Sequence, residues 1–181
     1  YYLFLSSIYS KAGRVDDALN SINRAIELSP KKRQIKFVLA DVYLQSGAKE
    51  KGLAVLQEAY DLDTSSEEAA RNLATFAIIN EQQEYAEELI EKHFGEKIIA
   101  NRQLIAAYVQ VNNFERVKEI WQKFIEIEPN NIQNYISLAA TYIELGERKK
   151  AIETLEKAKE IDINAVEQMD TFIEQIRSGE V

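Results

Sequence analysis

A fixed 34-residue period constrains this chain more than any other feature of its sequence. Tyr9, Gly13, Ala18, Ala25 and Pro30 are followed, 34 residues on, by Tyr43, Gly47, Gly52, Ala59 and Thr64. The pattern returns as Tyr108, Asn112, Val117, Phe124 and Pro129, then as Tyr142, Gly146, Ala151 and Ala158. A period of this length holding two helical patterns reads as a helix-turn-helix solenoid. No single pair of helices can bury its apolar face alone, so neighbouring units must stack. In such a chain the 181 residues count units rather than separate cores.

Within each unit, apolar residues three and four apart mark the first helix, as in Val38, Leu39, Val42 and Tyr43 or Leu138, Ala139, Tyr142 and Ile143. Gly47 and Gly146 mark the turns, because a helix commonly ends on a left-handed residue that glycine adopts without steric cost. The second helix offers small residues, Ala18 and Ala25 or Ala151 and Ala158, that let two backbones approach closely. Leu56, Trp121 and Leu155 fill the space beside them. Pro30 and Pro129 break the chain between units, and Ser65 with Glu68 reads as a capping box. These signals predict helix pairs at about 1–12/15–28, 33–46/49–62, 66–80/83–94, 98–111/114–127 and 132–145/148–161.

One step breaks the period. The turn positions Glu81 and Asn112 are 31 residues apart, and the missing three are expected near His93, Phe94 and Gly95, with Gly95 ending a shortened helix. The last stretch opens no further repeat. Val166, Met169, Ile173 and Ile176 form one apolar face, with Glu167, Asp170, Glu174 and Arg177 opposite. That is the pattern of a helix capping the end of the array. At the other end the chain starts without Met, already inside a helix, which predicts a parent sequence continuing upstream.

These residues resemble the tetratricopeptide repeat (TPR) family: an aromatic in the first helix, Gly at the turn, Ala twice in the second helix and a closing Pro. The resemblance covers nearly the whole chain. The third unit departs from it, with Ala77 where Tyr is usual and His93 where Ala is usual, which predicts weaker coupling there. The resemblance implies an all-α, right-handed α-solenoid of about five units, 1–30, 31–64, 65–97, 98–131 and 132–163, with a capping helix and tail over 164–181. It also implies a concave face, lined by the first helices, that binds a peptide or helix of a partner. The short third unit, Trp121 and the charged terminal helix are further similar to TPR tails of bacterial O-antigen-ligase-type membrane proteins.

Little here points to chemistry. His93 is the single histidine and there is no cysteine, so neither a disulfide nor a thiolate or polyhistidine metal site can be built. Glu87, Glu88 and Glu91, like Glu153, Glu156 and Glu160, follow helical spacing among lysines and read as solvated faces. No phosphate-cradling glycine loop or nucleophile motif occurs. The sequence therefore predicts no enzyme and no cofactor. A net charge of −8 opposes nucleic acid and anionic lipid, and no apolar run approaches the roughly 20 residues that cross a bilayer. With no signal peptide visible, the cytoplasm is the default compartment and tethering through upstream sequence the alternative. The basic clusters Lys31, Lys32, Arg33 with Lys36, and Arg148, Lys149, Lys150, read as solvated helix starts, with contact to phosphate or lipid headgroups as the other option.

The family's concave seats fall on Leu3, Ser7, Gln34, Phe37, Val38, Asp41, Arg71, Asn72, Thr75, Arg102, Gln103, Ala106, Gln133, Ile136 and Ser137. The lysine, asparagine and arginine set that clamps a C-terminal carboxylate in chaperone-binding members is absent. Arg71 and Arg102 instead occupy equivalent seats in an otherwise apolar-to-neutral face. They either meet acidic groups of a peptide or pair with Glu68 and Asp41 on their own face. The resulting expectation is a non-catalytic interaction scaffold whose partner-binding residues are Phe37, Val38, Asp41, Arg71, Asn72, Thr75, Arg102, Gln103, Ala106 and Ile136. The alternative is an appendage organising a membrane-embedded glycan-processing enzyme such as an O-antigen ligase. Self-association through the first helix, around Tyr1, Tyr2, Leu3 and Leu5, is a third option.

Overall fold

The computed structural model describes residues 1–30 and 32–180; Lys31 of the first basic cluster and Val181 of the tail lie outside them. Among the described residues the regular elements are helical. They are α1 (Tyr2–Lys11), α2 (Val15–Leu28), α3 (Arg33–Gln45), α4 (Lys49–Asp61), α5 (Glu67–Ile79) and α6 (Gln83–Phe94). There follow α7 (Arg102–Gln110), α8 (Phe114–Ile127), α9 (Ile132–Glu144), α10 (Arg148–Ile161), a short 3-10 turn (Ile163–Ala165) and α11 (Val166–Ser178). The chain divides into two compact units, Tyr1–Lys97 and the remainder from Ile98.

The period is written into the backbone of the turns. Gly13, Gly47, Glu81, Asn112 and Gly146 all have positive φ, between 56° and 80°. At Gly146 the amide donates to the Ile143 carbonyl at 2.9 Å and the Glu147 amide donates to Tyr142 at 2.8 Å. The same pair of bonds closes the turn at Glu81, onto Ile78 and Ala77, at 2.9 and 2.8 Å. These bonds satisfy carbonyls that a helix end leaves without partners. Glu81 thus holds a conformation that an L side chain reaches only with strain.

In the first unit, Ala18, Ile22, Ala25, Ile35 and Val42 form a buried cluster, with Tyr2, Leu3, Tyr9 and Val38 packed against it. The third helix pair keeps a filled core despite its departures from the repeat pattern. Along α5, Ala69, Ala70, Leu73, Ala74, Phe76, Ala77, Ile78 and Ile79 are all buried. The aromatic missing at Ala77 is supplied one residue earlier, where Phe76 is 6 % exposed. Its ring would lie 3.0 Å from a Cβ placed on Gly52, and the Ala40 carbonyl 3.1 Å away. Gly52 therefore makes room for Phe76, an exchange across two helices that a search for Tyr at one position does not reveal.

Two local expectations are corrected. Ser66, not Ser65, caps α5, accepting from the Ala69 amide at 3.3 Å. Ser65 is occupied one step earlier, donating through its hydroxyl (2.7 Å) and amide (3.2 Å) to Asp63. The three residues missing from the period come mainly from α7 rather than from the end of α6. Gly95, at φ 79°, does end α6 as expected, and α6 keeps 12 residues. Residues 95–101 are irregular, and Asn101 then caps α7 by accepting from the Gln103 and Leu104 amides. So α7 starts at Arg102 rather than near 98 and has 9 residues, against 13 in α9.

The second unit buries Leu104, Tyr108, Val117, Ile120, Trp121, Leu138 and Leu155. Its last helix packs on α10 through Met169, Ile173 and Ile176, which are 0 %, 1 % and 4 % exposed. An ion pair of 2.7 Å from Lys159 to Asp170 ties α10 to α11. The amphipathic face seen in the sequence is thus a cap on the last helix pair. No described helix is long and apolar enough to cross a membrane.

Candidate functional site

The expected partner-binding residues lie in rows set by the repeat. Phe37 on α3 and Arg71 on α5 occupy one row of the first unit, Asp41 and Thr75 another, Val38 and Asn72 a third. In the second unit, Arg102, Gln103 and Ala106 lie on α7, and Ile136 lies on α9 in register with Arg102. Arg71 and Arg102 thus belong to different compact units, and each is best understood in its own surroundings.

Arg71 is half-buried, its guanidinium 5.7 Å from the centre of the Phe94 ring. Arg102 is exposed and faces both Trp121, at 5.7 Å, and Phe124, at 5.5 Å. Neither arginine forms an ion pair with Glu68, Asp41 or any other carboxylate among the described residues; Glu128 acts on Arg102 only at longer range. Resting a planar guanidinium on an aromatic face holds it in place and leaves its edge of N–H donors free for a planar anion. The aromatic platforms come from second helices, α6 and α8. The repeat register places Trp121 in the core. It is core, 9 % exposed, and it also seats Arg102.

The remaining residues fill out the two faces. Phe37 is half-buried, Gln103 and Ala106 are exposed, and Val38 belongs largely to the core cluster beneath α3. The Thr75 hydroxyl donates to the Arg71 carbonyl at 2.8 Å, which spends its donor within the helix. Asp41 has no hydrogen bond or ion pair among the described residues. Its residue surface is exposed, yet enough atoms crowd the carboxylate that desolvation raises its pKa. Ile136, half-buried, borders an apolar cleft of about 300 Å³.

Other conspicuous groups are used structurally. His93 lies 3.0 Å from the Tyr60 hydroxyl, which also accepts from Lys92 at 3.0 Å. The basic clusters are partly paired, Arg33 with Asp63 at 3.1 Å, Lys36 with Glu58 at 2.7 Å and Lys150 with Glu147 at 2.9 Å. Among the described residues no group of three or more His, Asp or Glu side chains is arranged to hold a metal ion.

Two family models, both described as tetratricopeptide repeat, match residues 5–67 and 132–162, together just over half of the chain. The chain is 26% identical over 180 residues to the TPR repeat-containing protein YpiA of Bacillus subtilis (strain 168). That match covers 97% of this chain and 42% of YpiA, so the chain spans well under half of that relative. Among solved structures it is similar to the MamA protein, with a TM-score of 0.57 and 20% identity over 92% of each chain. It is also similar to PilW, a widely conserved type IV pilus biogenesis factor, with a TM-score of 0.62 and 17% identity, covering 88% of this chain and 76% of that one. At these identities the structural likeness concerns the fold. None of this bears on the similarity to O-antigen-ligase tails.

Proposed function

The chain belongs to the tetratricopeptide repeat family, and from that premise we propose that it is a non-catalytic protein-interaction module. A partner packs along the first helices of each compact unit, with acidic groups meeting Arg71 in the first and Arg102 in the second. The observation that carries this reading is the state of the two arginines. Each is propped on aromatic rings and has no carboxylate partner of its own. An arginine kept only for solubility has no need of such a platform. Unpaired Asp41, whose ionised form is disfavoured where it stands, supplies an acceptor on the same face of the first unit.

Three or four apolar side chains of a partner, buried against residues such as Phe37 and Ile136, contribute about 1.5–3 kcal/mol each. Ordering a flexible segment takes back roughly 2–5 kcal/mol. The balance corresponds to affinities on the order of micromolar. The test is to capture a partner on the immobilised chain and titrate it against parent and Arg71→Ala/Arg102→Ala proteins. Charge-assisted hydrogen bonds of about 1.5–3 kcal/mol each, reduced by solvent screening at exposed Arg102, predict a loss of about tenfold that shrinks at high salt. Unchanged affinity in a variant with the parent's helicity and melting would move the site elsewhere.

A further inference from the structure

The last helix leaves a cleft that capping alone does not require. α11 packs on α10 through Met169 and Ile173, but it does not close against α9. Between α9 and α11 lies an open space of about 300 Å³. Its floor is Leu155 of α10, which is 2 % exposed. On α9 the small side chains of Ala139 and Ala140 give it depth, and on α11 Phe172 and Ile176 form the opposite wall. The volume sits at the lower end of the range for ligand pockets, roughly 300–1,000 Å³, and admits one or two large apolar side chains rather than a whole cofactor.

The rim selects the occupant by charge. Glu144 is the single charged residue lining the cleft, it is exposed, and it has no ion pair or hydrogen bond among the described residues. The surrounding unit, residues 98–181, carries fourteen acidic against ten basic residues. A purely aliphatic ligand leaves that carboxylate unused, and an acidic one is repelled by it.

We infer that the cleft between α9 and α11 receives a large apolar side chain of a partner segment that also carries a lysine or arginine within one helical turn, held against Glu144. This rests on the reading of the chain as an interaction module and gives its partner a second chemical mark, a basic-apolar anchor beside the acidic groups that meet the arginines.

The probe is a short capped peptide with Leu and Lys at helical spacing, set against a twin with every Lys replaced by Glu. Each is titrated into protein carrying labelled Ile and Leu methyl groups. The Lys peptide is expected to give saturable shifts at Ile136, Ile143, Leu155 and Ile176, with the Glu twin about tenfold weaker or more. Ala140→Leu, which fills the opening from an exposed position, should remove these shifts. Glu144→Gln, a surface change that does not disturb packing, should weaken binding by about threefold at low salt, as fits a partly exposed pair. Equal binding of the two peptides, shifts confined to other helices, or no shift at all overturns the inference. A partner whose affinity depends on Arg71 and Arg102 while the cleft methyls stay silent removes the cleft and leaves the interaction reading standing. The opposite pattern keeps the cleft and removes the arginine seats.

Discussion

Replacing Glu81 by Gly should stabilise the protein, although it deletes a side chain and adds a flexible residue. Glu81 stands at φ 62° in the turn between α5 and α6, where three of the other four turns have glycine. A left-handed non-glycine residue costs about 1–2 kcal/mol. Glycine restores part of that cost through its greater freedom in the unfolded chain, about 0.5–1 kcal/mol. The Glu81 side chain is exposed and makes no hydrogen bond or ion pair among the described residues, so nothing else is lost. The net gain is up to about 1 kcal/mol, or roughly 2–4 °C in melting temperature for a chain of this size. Urea unfolding followed by helical circular dichroism measures it, with Gly146→Ala, at φ 73°, as a mirror control that should fall by a similar amount. Asn112→Gly should gain less, because asparagine tolerates the left-handed region. A Glu81→Gly protein no more stable than the parent would refute the claim that the turn bonds, rather than the residue, hold this geometry.

Deleting residues 164–181 removes the cover over α10. Met169, Ile173 and Ile176 each contribute about 1.5–3 kcal/mol by burial, offset in part by the ordering entropy of α11, so the truncated protein should melt earlier and aggregate; a soluble protein of parental stability would mean α11 is only a tail. The two aspartates with shifted pKa values predict opposite pH behaviour. Asp63 is held below the usual carboxylate range, first by the Ser65 hydroxyl and amide and then by Arg33, so its stabilisation is present above the unfolded value near 3.9 and is lost as pH falls through the lower folded value. Asp63→Asn should flatten the acid limb of the stability curve. Asp41 is raised by desolvation, so its ionised form opposes folding at neutral pH and ceases to do so in acid; Asp41→Asn should raise the unfolding midpoint at pH 7 and match the parent near pH 3. A lower midpoint at pH 7 would show that Asp41 has a folded-state partner.

The architecture was legible because the period fixes both helices of every pair and the residue that turns between them. Ala18 and Ala151 mark close backbone approach, and Gly13, Gly47 and Gly146 adopt the left-handed turns. What escaped the sequence depends on contacts between helices. The exchange of Gly52 for Phe76 is one case, since each residue is unremarkable until the two are opposed. The shortened α7 is another, because a three-residue deletion has no address in the sequence until Gly95 and Asn101 declare where helices end and begin. The positions of Arg71 and Arg102 followed from the repeat register. Their aromatic seats did not, because Phe94, Trp121 and Phe124 lie on second helices whose rotation the period alone does not fix. The cleft beside α11 was invisible for the same reason, being the space left by a helix that packs chiefly on α10.

The central claim is that the first helices form the surface a partner occupies. Amide exchange of the whole chain, measured with and without a captured partner at saturating concentration, tests it most directly. The account predicts added protection along α3, α5, α7 and α9, with the turns around Arg71 and Arg102 among the most protected and the outer faces of α4, α6 and α8 unchanged. Protection confined to those second helices, or to α1 around Phe4 and Ile8, would contradict it.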